Sequence, residues 1–588
     1  MNFLITPVIH PLIQILITLL LCSGLLRIGK IINDKFFKNY NYLFFNLSIS
    51  SILISQILFI SLIFGIFKYV VIILSFLLIF LGIFNLNLFK EIKTSIHSLN
   101  NNKNFFFKYI VIIIFLSFIL ISLGPPSMSD ALDYHYGVPL YLLNHSFLPN
   151  QDIWLHGSLF GYGELMSAIS LYLKTDNFFT FFQILSLILF FEFLTRKEKD
   201  KNRLFFVIFF IVSSPVILFL ISGPKPLLFP QLLTTVSLYL LVKEKKQNQN
   251  NLFLIGIFLL GAAQFKLSFI LSGTIIGLLL LIKAYKFHKP TILNLILLTL
   301  FIFLLKIYYN LIQVSEFSLI NVLTTLPNDF LVYLSNFKDN NLIYPLNLLI
   351  PSSLGSITTI LGFQIFLLLF IKKISKKFKL VLVVTFFTIF IHLIFGQQTS
   401  RIYFEFILWI SIGVFFLEKV NFKNKFFTYA LLPQLSIVVL ISFYFTAITL
   451  PSLFSFDYRD KFMEKNAFEY SGIKWVNNQI PFDFPVISEL RSHSFLANEF
   501  IPYENIQNLQ ETKNYINYLK LKNPKFIITK NKDLSNHFLK GCIGKIHKIS
   551  QNFIKSTRNP FNRGDKYKVY IYHFNYDKLK YCTNLSNL

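Results

Sequence analysis

The stretch Tyr109-Ile-Val-Ile-Ile-Ile-Phe-Leu-Ser-Phe-Ile-Leu-Ile-Ser-Leu123-Gly124-Pro125-Pro126-Ser-Met-Ser-Asp130-Ala-Leu-Asp133-Tyr134-His135 decides how the chain folds. An apolar run approaching the ~20 residues that cross a bilayer stops at a double proline. Proline lacks the N–H that would continue the helix and disfavours helix in the residue before it. Two carboxylates follow at once. The pattern is a membrane helix ending at an interface, with a polar loop beyond it.

Similar runs occur at about 3–26, 41–67, 69–89, 109–124, 177–195, 204–222, 226–242, 252–265, 267–282, 291–312, 352–371, 380–396, 402–417 and 426–450. The pair 252–265 and 267–282 reads either as a hairpin turning at Gln264–Lys266 or as one broken helix. The first run lacks a basic n-region and reads as a retained helix, not a cleaved signal. In 588 residues, 54% are hydrophobic and only 14% charged. Soluble chains carry about a quarter charged residues, so disorder, collagen and a cytosolic enzyme are excluded. The fold class is an all-α polytopic membrane protein of about 12–14 transmembrane helices over 1–450, with a small α/β soluble domain over 451–588.

The net charge of +27 is distributed as membrane topology distributes it. Of 55 Lys and Arg, 27 lie in seven short loops, at 27–38, 90–108, 196–203, 243–251, 283–290, 372–379 and 418–425. Basic clusters in alternate short loops mark the cytoplasmic side. Both termini and the long segments 125–176, 313–351 and 451–588 are then expected outside. This argues against nucleic acid as a partner and for membrane lipids.

The 125–176 loop is expected to carry the chemistry. No Lys or Arg occurs between Lys108 and Lys174, while Asp130, Asp133, Asp152 and Glu164 all do. Carboxylates beside a bilayer are costly and mark sites. Ser129 or Asp130 reads as the cap of a helix from Ala131 to about Asn144, which places Asp130 and Tyr134 on one face. A second short helix is expected over 159–173. An N-cap and a solvated loop residue remain open readings for Asp130 and Asp133. His135, His145 and His156 show no close metal spacing. If a cation binds, Asp130 and Glu164 suit Mg²⁺ or Mn²⁺. No Walker loop or GxGxxG occurs, so no nucleotide cofactor is expected.

The string Pro125-Pro126-x-x-x-Asp130-Ala131-Leu132-x-Tyr134-His135 with Pro139 resembles the first outer loop of the GT-C superfamily of membrane glycosyltransferases. It lies nearest the RgtA/B/C/D-like, dolichyl-phosphate-mannose-transferase-like bacterial branch. The resemblance extends to Lys266 in Gln264-Phe-Lys-Leu-Ser268, to Asn341-Leu-Ile-Tyr344-Pro345, to Arg401-Ile-Tyr-Phe-Glu405 and to Tyr470-Ser-Gly472-x-x-Trp475-x-Asn477. It implies an inverting hexosyl- or pentosyltransferase at the outer face of a bacterial inner membrane. The donor would be a polyprenyl-phosphate sugar, the acceptor a glycan or lipid. Asp130 is implied as catalytic base, with Asp133 and Glu164 as further catalytic acids. Tyr134, His135, His156, Lys266, Tyr344 and Arg401 are implied as substrate-binding. Two departures, Met128 and Ala131 where relatives place acids, leave Asp133 or Glu164 as the second acid. The leaving lipid phosphate needs cations. Lys225, Lys266 and Arg401 stand at run ends where it would lie, although interfacial anchoring explains such residues equally. A transporter or flippase, or a ligase or polymerase of lipid-linked saccharides, are the competing readings.

In the tail, strands are expected at Pro485–Glu489, Lys525–Thr529 and Lys566–His573, and helices at Glu469–Gln479 and Leu509–Leu521. Cys542 and Cys582 lie 40 residues apart in a domain expected outside, where a disulfide would staple the terminal segment.

Overall fold

The computed structural model describes residues 9–37, 42–85, 105–149, 154, 157, 161–244, 248–314, 345–351, 353–371, 374–395, 397, 399–417, 425–502, 509–530, 532, 539–556, 564–575 and 578. His156, Tyr344, Asp152 and Cys582 lie outside these described residues.

Helices dominate the described part of residues 11–449. They are α1 (Pro11–Phe36), α2 (Leu43–Ile63), α3 (Phe67–Ile83), α4 (Phe105–Ser122), α5 (Tyr136–His145), α6 (Tyr162–Tyr172), α7 (Phe178–Lys197), α8 (Lys201–Val212) and α9 (Val216–Leu220). There follow α10 (Leu228–Lys243), α11 (Gln249–Phe265), α12 (Ile270–Phe287), α13 (Lys289–Val314), α14 (Lys376–Phe395), α15 (Ser400–Gly413) and α16 (Lys425–Thr449). Among the described residues, 6 helices are long and apolar enough to cross a membrane, and five shorter apolar helices accompany them. Phe76, Phe80, Ile282, Leu304, Phe386, Phe390 and Leu440 are exposed on α3, α12, α13, α14 and α16. Such faces suit hydrocarbon, and the chain is read as a membrane protein.

Close helix packing needs small residues where no hydrophobic drive separates helix from lipid. A Cβ on Gly29 of α1 would stand 1.7 Å from the Asn46 carbonyl oxygen of α2. Beside it, the Asn33 side-chain amide donates to Asn46 Oδ1 at 2.8 Å. A Cβ on Gly24 would meet Leu78 O of α3 at 2.1 Å.

Three sequence expectations change. The run 204–222 is two helices, α8 and α9, because Pro215 cannot continue the ladder and Val216 N–H donates instead to Ile360 O at 2.9 Å. The run 352–371 is not an α-helix but two 3₁₀ segments, Leu354–Thr359 and Phe363–Phe370. Between them Gly362 takes φ +94°, a left-handed conformation that favours glycine, and Gln434 Oε1 takes the Phe363 N–H at 2.6 Å. Finally, Asp130 does not cap the helix that follows it: its backbone is already helical and its side chain makes no cap bond. The helix opens instead with a π turn, Ala131–His135, before α5. By contrast, α11 and α12 do form a hairpin broken at Lys266, whose backbone is extended.

Beyond α16, α17 (Phe456–Asn466) and α18 (Tyr470–Asn477) lead into a five-stranded sheet of order β2-β1-β3-β7-β4. Its strands are β1 (Val486–Ser488), β2 (Phe500–Pro502), β3 (Phe526–Thr529), β4 (Ile543–Ile549) and β7 (Tyr570–Phe574). A separate pair joins β5 (Phe553–Ile554) and β6 (Lys566–Tyr567). Strand β1 runs parallel to both β2 and β3, and α19 (Leu509–Lys522) makes the crossover between β2 and β3. Cys542 is disulfide-bonded, whereas Cys22 is free and buried.

Candidate functional site

The double proline turns the chain so that the π turn presents consecutive polar side chains to one region. Asp130 and Asp133 share the Nε–Nη2 edge of the Arg491 guanidinium. Arg491 Nη2 donates to Asp130 Oδ1 at 3.1 Å, and its Nε donates to Asp133 Oδ2 at 3.0 Å. The other Asp130 oxygen accepts from Lys225 Nζ at 2.5 Å. Lys225 sits in the Gly-Pro-Lys-Pro link between α9 and α10. Its ammonium lies 4.9 Å from the centre of the Phe219 ring, over which the Arg401 guanidinium also lies at 6.0 Å.

A second group forms beside the first. Glu164, at the third position of α6, reaches back to the Gly161 N–H at 2.7 Å, the side-chain half of a capping box. Its other oxygen meets His135 Nδ1 at 2.8 Å and Lys266 Nζ at 3.4 Å. Lys266 also lies over the Tyr134 ring at 5.7 Å, joining the two groups.

The charge states follow from burial and partners. Burial alone would raise the Asp130 pKa, but the charge and hydrogen bond of Lys225, with Arg491, hold it well below the usual carboxylate range. A quarter of its side chain remains exposed, so solvent reaches it. Burial pushes Lys225 down to about 8 despite Asp130. His135 is fully buried, and burial pushes its imidazole down to about 4, so it is neutral at pH 7. Glu164 is held below the ordinary value: burial opposes this, while Lys266, His135 and the Gly161 N–H favour the ionised form. Neutral His135 therefore donates from Nδ1 to an ionised Glu164.

Four cations, Lys225, Lys266, Arg401 and Arg491, then surround three carboxylates, Asp130, Asp133 and Glu164. The surplus belongs to Arg401, which has no carboxylate partner among the described residues and whose charge acts on Tyr134 and Lys225. The cluster can bind an anion beside an ionised carboxylate. It does not fit a divalent cation. Both Asp130 oxygens and both Glu164 oxygens already face donors. Among the described residues, no three His, Cys, Asp or Glu gather as ligands.

Of the site residues expected from sequence, Asp130, Asp133, Tyr134, His135, Glu164, Lys266 and Arg401 converge. Arg491 was not among them. It enters two residues after Glu489, just beyond the carboxyl end of β1, the edge where parallel sheets place binding groups. There Glu469 accepts its backbone N–H at 2.7 Å. Nothing local marks Arg491, since its partners lie 358 and 361 residues away.

Family comparison matches the DUF1420 N-terminal domain over residues 83–463 and the DUF1420 C-terminal domain over 464–586. The chain belongs to the DUF1420 family. No curated protein and no solved structure matches it. The candidate site is therefore composite: the DUF1420 N-terminal domain supplies Asp130, Asp133, Glu164, Lys225, Lys266 and Arg401, and the DUF1420 C-terminal domain supplies Arg491. Helices α1–α3 precede nearly all of the first match, and Gly82 of α3 packs against Leu20 O of α1.

Proposed function

We propose that this DUF1420 protein is a membrane glycosyltransferase of the GT-C type, transferring a sugar from a polyprenyl-phosphate donor to a glycan or lipid acceptor. The observation that carries the reading is the surplus guanidinium of Arg401, which shares the Phe219 ring with Lys225 at the ends of apolar helices, Lys225 in turn being bonded to the ionised Asp130. A lipid phosphate has an apolar tail for the helical body and an anionic head for these cations.

In this reading Asp130 Oδ takes the acceptor hydroxyl proton as that oxygen attacks the anomeric carbon. A new C–O bond forms, the bond from the anomeric carbon to the phosphate oxygen breaks, and the lipid phosphate leaves with the electron pair and its negative charge. Arg401, Lys225 and Lys266 stabilise that charge. Single displacement inverts the anomeric centre. Both Asp130 oxygens are engaged in the resting protein, so the donor phosphate must draw Lys225 or Arg491 toward itself and release one oxygen to act as base. Asp133 and the Glu164–His135 pair hold Arg491 and Lys266 in place. No step uses a divalent cation. The basic loops support a site on the extracytoplasmic face of a bacterial inner membrane.

Binding of polyprenyl phosphate to the full chain in lipid nanodiscs tests the anion site. A charged hydrogen bond contributes about 1.5–3 kcal/mol, so Arg401→Gln is expected to weaken binding roughly ten- to hundredfold. Unchanged affinity in Arg401→Gln would refute the assignment of the phosphate to this cluster.

A further inference from the structure

Glu405 lies one turn along α15 from Arg401, inside the helical body, and is fully buried. Ser272 Oγ on α12 donates to its Oε2 at 2.6 Å, and Thr234 on α10 is bonded to its Oε1. On α14, His392 brings Nε2 to 3.5 Å from Ser272 Oγ, the outer limit of a hydrogen bond. Two buried atoms of the cluster have no partner among the described residues: His392 Nδ1, and Oε1 of Gln231, one turn before Thr234. The titratable or charged side chains nearest Glu405 on the packed helices are His392 on α14 and Arg401 and Tyr403 on α15 itself. Lys243, Lys283, Lys286, Lys377 and Arg203 stand toward the other ends of α10, α12, α14 and α8. No cation forms an ion pair with Glu405 among the described residues; only Ser272 and Thr234 act on it besides burial.

An ionised carboxylate without a cation in an apolar interior carries a large desolvation cost. The hydroxyl geometry offers a neutral alternative. Thr234 Oγ1 stands 3.0 Å from Gln231 O, so its hydrogen can point there while the oxygen accepts an O–H from Glu405. Trp409 Nε1 adds a donor to the same Thr234 oxygen at 3.4 Å, and Ser272 donates to Oε2. Every hydrogen of this arrangement has an acceptor.

We propose that Glu405 is an internal proton-binding site that exchanges its proton with His392 through Ser272. When the carboxyl proton sits on Oε2, Thr234 donates to Oε1 and the Ser272 hydroxyl turns to His392, the Oε2 proton passes to Ser272 Oγ and the serine proton passes to His392 Nε2. One O–H bond breaks at Glu405, one N–H bond forms at His392, and the net charge of the cluster is unchanged. This site is separate from the anion site and does not depend on the transferase reading.

Infrared spectroscopy of the full chain in nanodiscs tests it. The expected result is a protonated-carboxyl band at pH 7 in the wild type that is missing from Glu405→Gln. Equal protonated-carboxyl intensity in both proteins overturns the site. Deuterium exchange of that band is expected to slow at least severalfold in His392→Gln, and an unchanged rate overturns the exchange step. Replacing choline chloride by sodium chloride is expected to leave the thermal midpoint unmoved. A sodium-dependent rise that Glu405→Gln abolishes overturns the proton in favour of a bound cation.

Discussion

Asp130 stays ionised although largely enclosed, because Lys225 and Arg491 occupy its two oxygens. In the proposed transferase, a base so held would be weak at rest and gain strength as a phosphate draws those cations away. Asp130→Asn is expected to lower transfer by ~10²–10⁴-fold while the protein is still expressed. Lys225 adds a pH limit. Its folded pKa of about 8 means that its charge fades as pH rises through that value, so polyprenyl-phosphate affinity is expected to fall there. A flat affinity profile between pH 7 and 9 would contradict this role. His135 gives the opposite edge. Its folded pKa, about 4, lies below the unfolded value of ~6.5. Between these values the unfolded chain binds a proton that the folded one does not, so stability falls as pH drops through that window and levels below it. His135→Asn is expected to flatten this slope in thermal unfolding measured from pH 7 to 4. Asp130, Tyr134, His135 and Glu164 were legible as a group because they crowd into one acid-rich loop of a chain poor in acids. Arg491 was not legible, since only the folded sheet brings it to Asp130.

Element ends, not element middles, build the site. Lys225 follows the break at Pro215 and the short α9, Lys266 is the extended residue between α11 and α12, and Arg401 lies in the first turn of α15. The sequence marked these ends through proline, glycine and isolated basic residues. It did not mark the split of 352–371, because that break depends on Gln434 reaching Gly362 from another helix. Nor did it mark the π turn, because nothing in Ala131–His135 separates a π from an α ladder. Backbone contact also fixes α1 against α2. Gly29→Ala would drive a methyl group into the Asn46 carbonyl, and overpacking of this kind costs about 1–3 kcal/mol. A lowered thermal midpoint in detergent is expected, and an unchanged midpoint would show that α1 can be displaced without cost.

The tail is docked on the acidic loop. Arg459 pairs with buried Asp176, Ser494 Oγ donates to Leu132 O at 2.7 Å, and Phe468 N–H donates to Ser127 O at 3.1 Å. Removing one partner of a buried ion pair costs about 3–5 kcal/mol, so Arg459→Met is expected to loosen this docking and to make the 464–588 region sensitive to protease. The membrane body and the α/β tail were legible from hydropathy and charge, whereas their shared site was not, since composition carries no information on docking. Under the proposed topology, reporters fused within 140–150 or after 450 are expected to read as periplasmic, and those at 198 or 375 as cytoplasmic. The most direct test of the central claim is release of free polyprenyl phosphate from a polyprenyl-phosphate sugar by the purified full chain with its acceptor. The wild type is expected to release it, and Asp130→Asn to lose that release by at least ~10²-fold. Equal release by the two proteins would contradict that claim.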